Sequence, residues 1–249
     1  GGGRAEELVG KGLAKLGSAR RPMIATKCGR ITRSPDEIVG VLKRDSIFSE
    51  CDASLRRLGV ETIDLYQIHW PSWEIPREET VETLVQLQQE GKVRAIGVSN
   101  FLPEHLDQLA ETATVMPSIN QIEFHPHLQS PELVAYCEAH NIVLEAWSPL
   151  KAGRIIEDPE LQAIADVHGV TVPQVVLRWM LQRGVVAIPK SVSPSRIAQN
   201  ADLYGFELGP DEVARVLGEL ARDGKLNLAG GCCGTGPEHL RYLARGATP

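Results

Sequence analysis

"ETIDLYQIHWPS", from Glu61 to Ser72, is the stretch on which the fold turns. Its apolar run is the pattern of a buried strand, of the kind that parallel sheets cover on both faces. The run stops on His69, against a Trp-Pro pair that ends the strand. A lone histidine there reads first as a core imidazole satisfied by a backbone carbonyl, and only in company as a functional group. What the other strands carry at the same end decides between the two.

Five further apolar runs flank it: "PMIATK" (22–27), "VRAIGVSN" (93–100), "SINQIEFHP" (118–126), "IVLEAWSPL" (142–150) and "GVVAIPKS" (184–191). Helical periodicity fills the intervals, at 4–16, in "REETVETLVQLQQEGK" (77–92, closed by a Gly C-cap signal) and after Pro103. It returns in "SPELVAYCEAHN", opened by Ser130 as an N-cap, and at 160–168 and 172–182. Short apolar strands separated by helices predict a parallel sheet with right-handed crossovers. No G-x-G-x-x-G follows any strand, so six similar β-α units favour a barrel, with an open doubly wound sheet as the alternative.

Composition narrows the function classes. The 249 residues are 43% hydrophobic and 23% charged, ordinary for a globular chain. A net charge of -6 without a basic block argues against nucleic acid and anionic membranes as partners. No apolar run reaches the roughly 18–20 residues of a membrane span, and no signal peptide is visible. Five cysteines, odd in number and mostly scattered, argue against a disulfide framework and for a reducing cytoplasm. The chain opens on "GGGRAEELVG" without a Met, which suggests a tag scar, a processed end or a truncation.

At the ends of the strands stand Lys27, His69, Ser99-Asn100, Gln121, Trp147-Ser148 and Lys190-Ser191. In a barrel these ends open onto one face, where chemistry collects. Any one of them alone could be a satisfied loop residue; six in phase make a functional set.

The same residues carry a resemblance. "IATK", "IDLYQIHWP", "GKVRAIGVSNF", "INQIEFHP", "LEAWSPL" and "IPKSVSPSRIAQN" occur in order with spacings similar to those of the aldo-keto reductases, over Gly1 to about Leu220. The resemblance implies a (β/α)8 TIM barrel over residues 1–222, NADPH as cofactor and a small-molecule carbonyl substrate. Lys27 and His69 match the family's catalytic lysine and histidine, which stabilise negative charge developing on the carbonyl oxygen. Ser99, Asn100 and Gln121 match the trio that binds the nicotinamide carboxamide. Trp147 stands where a stacking aromatic is usual, and Ser148, Pro149, Leu150 and Ile188 complete the cofactor lining. Lys190, Ser191 and Arg196 match the pocket for the adenosine 2′-phosphate, with Gln199 and Asn200 beside the adenine.

Two departures stand against this pattern. The family's first two strands, with the catalytic Asp and the proton-donating Tyr, should precede Arg4, so the chain reads as N-terminally incomplete. Without that Tyr, aldehyde reduction is expected to be impaired by about 10²–10⁴-fold. The alternative is a protein that binds NADP(H) without turnover. The tail after residue 222 departs as well, since "LNLAGGCCGTGPEHLRYLA" (226–244) is similar to the zinc-binding end of homocysteine S-methyltransferases. Methyl transfer through Cys232 and Cys233 is the weaker alternative. Tetrahedral zinc needs a third ligand, for which only Cys28 lies at a strand end, so no tight metal site is expected.

Overall fold

The computed structural model describes residues 2–16, 21–34, 37–72 and 76–215. The tail with Cys232 and Cys233 therefore lies outside the described residues. The chain divides into two compact units, Gly1–Asn120 and Gln121–Pro249.

The first unit runs α1 (Arg4–Leu16), β1 (Ala25–Cys28), the hairpin β2 (Arg30–Ser34) and β3 (Glu37–Gly40), and α2 (Arg44–Leu58). It continues through β4 (Ile63–Ile68), α3 (Arg77–Gln89), β5 (Val93–Ser99) and α4 (Pro103–Thr112) into β6 (Ile119–Glu123). β1 pairs in parallel with β4, setting Lys27 opposite Gln67, and β4 pairs in parallel with β5, setting Gln67 opposite Gly97. All six residues of β4 are buried, which is why its sequence is an almost continuous apolar run. Its one carboxylate, Asp64, is saturated by the Ile24 amide at 2.9 Å, Arg21 at 3.1 Å and Arg94 at 2.9 Å. These contacts sit at the N-terminal edge of the sheet, where they serve stability.

In the second unit β6 leads through α5 (Pro131–Ala139) to β7 (Val143–Trp147) and a 3-10 segment at Lys151–Glu157. Then follow α6 (Pro159–His168), α7 (Val172–Gln182), β8 (Val186–Ala187) and α8 (Pro194–Ala201). α7 supplies much of the core: Val172, Val175, Val176, Leu177, Trp179 and Met180 are buried. Phe124 stacks on Trp179 with ring centroids 5.6 Å apart. Thr171 and Gln174 form the capping box that starts α7, and the Asp158 carboxylate caps α6 by accepting from the Glu160 and Leu161 amides.

The sheet order is β1-β4-β5-β6-β7-β8. Strands that follow one another in sequence are neighbours, apart from the hairpin. A doubly wound sheet reverses its order at a switch point, so this is a fold of the (β/α)8 TIM-barrel type.

Several local expectations give way. The β2–β3 hairpin is additional; it is short, and three of the four residues of β3 are exposed, so no periodic burial marks it in the sequence. β8 keeps only two residues of the expected run. Ser130 holds the N-cap position of α5, its carbonyl accepting from the Val134 amide at 3.0 Å, but it is left-handed (φ 42°) and its side chain makes no capping bond, so Pro131 fixes the first turn. Gln121 is the third of five residues in β6 and buried, not at its end.

Candidate active site

Alternation along the strands decides which side chains share a face. In β1, Thr26 and Cys28 point one way and Lys27 the other. Thr26 donates to Glu6 of α1 at 2.5 Å, and Cys28 is buried with its thiol directed to the Gln67 carbonyl at 3.6 Å. Lys27 takes the opposite face, in one row with Gln67 and Gly97. A Cβ on Gly97 would stand 2.9 Å from the Gln67 side chain, so the glycine makes room within that row. One pleat further, two residues on from Gln67 and Gly97, come His69 and Ser99.

His69 lies just beyond β4, its amide donating to the Cys28 carbonyl at 3.1 Å. Asn100, just beyond β5, adopts a left-handed conformation (φ 62°) that Asn tolerates. Its amide donates to the His69 carbonyl at 3.4 Å and to the Ser99 hydroxyl at 3.2 Å. Lys27, His69, Ser99 and Asn100 are thus brought together at one lip of the first unit. Burial holds the His69 imidazole down to about 4, helped by the positive charges of Lys27 and Arg30. At neutral pH the ring is neutral and carries one N–H beside an ammonium. That pair can stabilise a developing alkoxide.

No described tyrosine of the first unit joins them. Tyr66 alternates to the opposite face, towards Cys28 and Cys51, and burial pushes its hydroxyl far up. Tyr136 belongs to α5, and Tyr204 follows α8 and is exposed. Among the described residues no three acidic, histidine or cysteine side chains group as a metal site. No described helix is long and apolar enough to cross a membrane.

In the second unit the Gln121 amide donates to the buried Glu145 carboxylate. Trp147 is the last residue of β7 and half-buried. The loop after it, with buried Pro149 and half-buried Leu150, is tightly coiled: Ser148 (φ 53°), Lys151 (φ 47°) and Ala152 (φ 53°) are all left-handed. Such backbone is costly for residues with a Cβ and gathers at functional loops. Lys151 donates to His127 Nδ1 at 3.3 Å, and His127 Nε2 meets Asp158 at 2.8 Å, which ties this loop to the N-terminus of α6. That tie joins two loops far apart in sequence, and no motif announces it.

The Ile188 amide donates to the Ala146 carbonyl at 3.2 Å while its side chain is exposed. Lys190 and Ser191 lie on the segment entering α8, whose first turn carries Arg196. The Ser191 hydroxyl accepts from the Ser193 amide at 3.2 Å. Lys190, Arg196 and Gln199 are exposed and Asn200 is half-buried. Among the described residues neither Lys190 nor Arg196 has an ion pair, so two free cations flank a helix start, a fitting cradle for a phosphate.

A model of the aldo/keto reductase family matches residues 1–219. Glyoxal reductase of Bacillus subtilis (strain 168) is 41% identical over 211 residues, which cover 85% of this chain and 73% of that protein. The uncharacterized oxidoreductase YtbE of the same organism is 45% identical over 165 residues, 66% of this chain but only 59% of its own length. Among solved structures, the Gox0644 apoform superposes with a TM-score of 0.78 at 39% identity, covering 91% of this chain and 79% of the other. A Gox0644 D53A mutant in complex with NADPH superposes with a TM-score of 0.75 at 40% identity, covering 85% and 74%.

Proposed function

The chain belongs to the aldo/keto reductase family, oxidoreductases that reduce aldehydes and ketones with NADPH, and from that premise we propose the roles of its strand-end residues. The observation that carries the proposal is the neutral His69 beside Lys27 at the ends of two paired strands. NADPH supplies the hydride when bound. The His69 N–H donates to the carbonyl oxygen, and the Lys27 ammonium lowers the cost of the charge that grows there. Ser99, Asn100 and Gln121 orient the nicotinamide carboxamide, Trp147 stacks on the ring, and Ser148, Pro149, Leu150 and Ile188 line the cofactor. Lys190, Ser191 and Arg196 hold the 2′-phosphate, and Gln199 and Asn200 meet the adenine.

Titration of the chain with both cofactors, followed by fluorescence quenching, tests this reading. Charge-assisted contacts are worth about 1.5–3 kcal/mol each, and exposure reduces that, so NADPH should bind at least about tenfold tighter than NADH. Arg196→Ala should erase most of the preference. Equal affinities for the two cofactors would remove Lys190, Ser191 and Arg196 from the phosphate site.

A further inference from the structure

At Trp70, one residue beyond His69, lies a cavity of about 360 Å³ that the roles above leave unused. Gly29, Arg30, Gly40 and Leu42 line one side, and Trp70, Pro71 and Ser72 the other. The backbone explains why these residues meet. The His69 amide bonds to the Cys28 carbonyl, so the chain leaving β4 at Trp70 runs beside the chain leaving β1 at Arg30. The Val41 amide bonds to the Gly29 carbonyl at 3.1 Å and folds the β2–β3 hairpin back over the same spot. Gly29 is left-handed (φ 86°), and a Cβ on it would stand 2.3 Å from the Leu42 side chain, so the turn that presents Arg30 needs glycine there.

Leu42, Trp70 and Pro71 supply the apolar part of the wall, and Arg30 its single charge. Trp70 is 45% exposed, and Leu42 and Pro71 flank it. Arg30 makes no ion pair or side-chain hydrogen bond among the described residues. Its charge nevertheless reaches His69, where it acts with Lys27. The lip is therefore cationic, with a slot beside the Arg30 guanidinium that opens next to Trp70, the residue following His69. The volume falls within the roughly 300–1,000 Å³ of small-molecule sites.

Resting on the reading of Lys27 and His69 as the carbonyl site, we propose that Arg30 is a specificity residue that binds a carboxylate carried by the substrate. The substrate class is then an oxo-acid whose carbonyl and carboxylate are separated by an apolar spacer. The carbonyl oxygen meets His69, the spacer lies against Trp70, and the carboxylate takes the fork of Arg30, whose planar donors match two carboxylate oxygens.

The test uses the full chain saturated with NADP+, so that no turnover intervenes, and calorimetric titration with 4-formylbenzoate and its neutral isostere 4-formylbenzamide. The carboxylate should bind about tenfold tighter at low salt, and the ratio should shrink as salt screens the exposed cation. In Arg30→Gln the ratio should fall to within about twofold. Arg30→Lys, which keeps the charge but loses the fork, should lie between the two and serves if the glutamine variant does not fold. A preference that survives Arg30→Gln overturns the proposal, as does equal binding of the two probes by the unsubstituted chain. Equal binding leaves the carbonyl-reduction reading standing. If neither aldehyde binds while NADP+ does, the proposal falls; if NADP+ fails as well, both readings fall together.

Discussion

His69 is held neutral by burial first and by Lys27 second, so the two residues can be tested through each other. Replacing Lys27 with Met removes a positive charge that disfavours the imidazolium. The His69 pKa should then rise from about 4 towards the ordinary value near 6.5, as NMR titration of its ring protons would show. The same substitution should slow NADPH-dependent aldehyde reduction by about 10²–10³-fold, the usual size for losing one group that stabilises a developing oxyanion. A His69 pKa unmoved by Lys27→Met would separate the two residues and end their shared role. Their positions where apolar runs stop were legible in the sequence, because a polar group at the end of such a run costs burial and needs a reason. Arg30 escaped notice for the opposite reason: it stands in an exposed hairpin, where a charged residue needs none.

α1 is an element held by edges. None of its residues is buried, and it is fastened by Glu6, which accepts from Arg57 at 2.6 Å and from Thr26 at 2.5 Å. It also rests on the end of α2 through Gly10, where a Cβ would meet the Arg57 carbonyl oxygen at 2.6 Å and that of Leu58 at 2.8 Å. Those atoms are backbone and yield little. Gly10→Ala gains up to about 1 kcal/mol of helix propensity but meets an overpacking cost of about 1–3 kcal/mol, so the contact should lose. The expected outcome is faster amide exchange across residues 4–16. Gly12→Ala is the control, because nothing lies within 4 Å of the added methyl and only the propensity gain remains. Protection of α1 should rise in that variant. The helix itself was readable from its period, but Gly10 as a contact point was not, since α2 is brought to it only by packing.

Across the molecule, acid should be the weak side. His69 in the first unit and His125 in the second are both lowered to about 4, mainly by burial. Unfolded, each would titrate near 6.5, so between about 6.5 and 4 the unfolded chain binds more protons than the folded one. Stability is therefore fully expressed above about pH 6.5 and falls as pH drops towards 4. Glu50, raised by burial, acts against this trend, but it is one group against two. Denaturant midpoints should drop between pH 7.5 and 5, and His125→Gln should flatten that drop. A midpoint independent of pH over this range would mean that neither imidazole is held neutral by the fold.

Sequence alone was sufficient for the alternation of strands and helices and for the residues standing where the apolar runs stop. Strands covered on both faces must be apolar nearly throughout, and that signal is local. The order β1-β4-β5-β6-β7-β8, which separates a barrel from an open sheet, arises from pairing between distant strands. So do the tie from Lys151 through His127 to Asp158 and the position of Gln121 inside β6 beside Glu145. The cavity at Arg30 exists only because a hydrogen bond from His69 to Cys28 lays two loop starts side by side. None of these leaves a periodic mark in the chain, because each depends on which surfaces meet once the strands have paired.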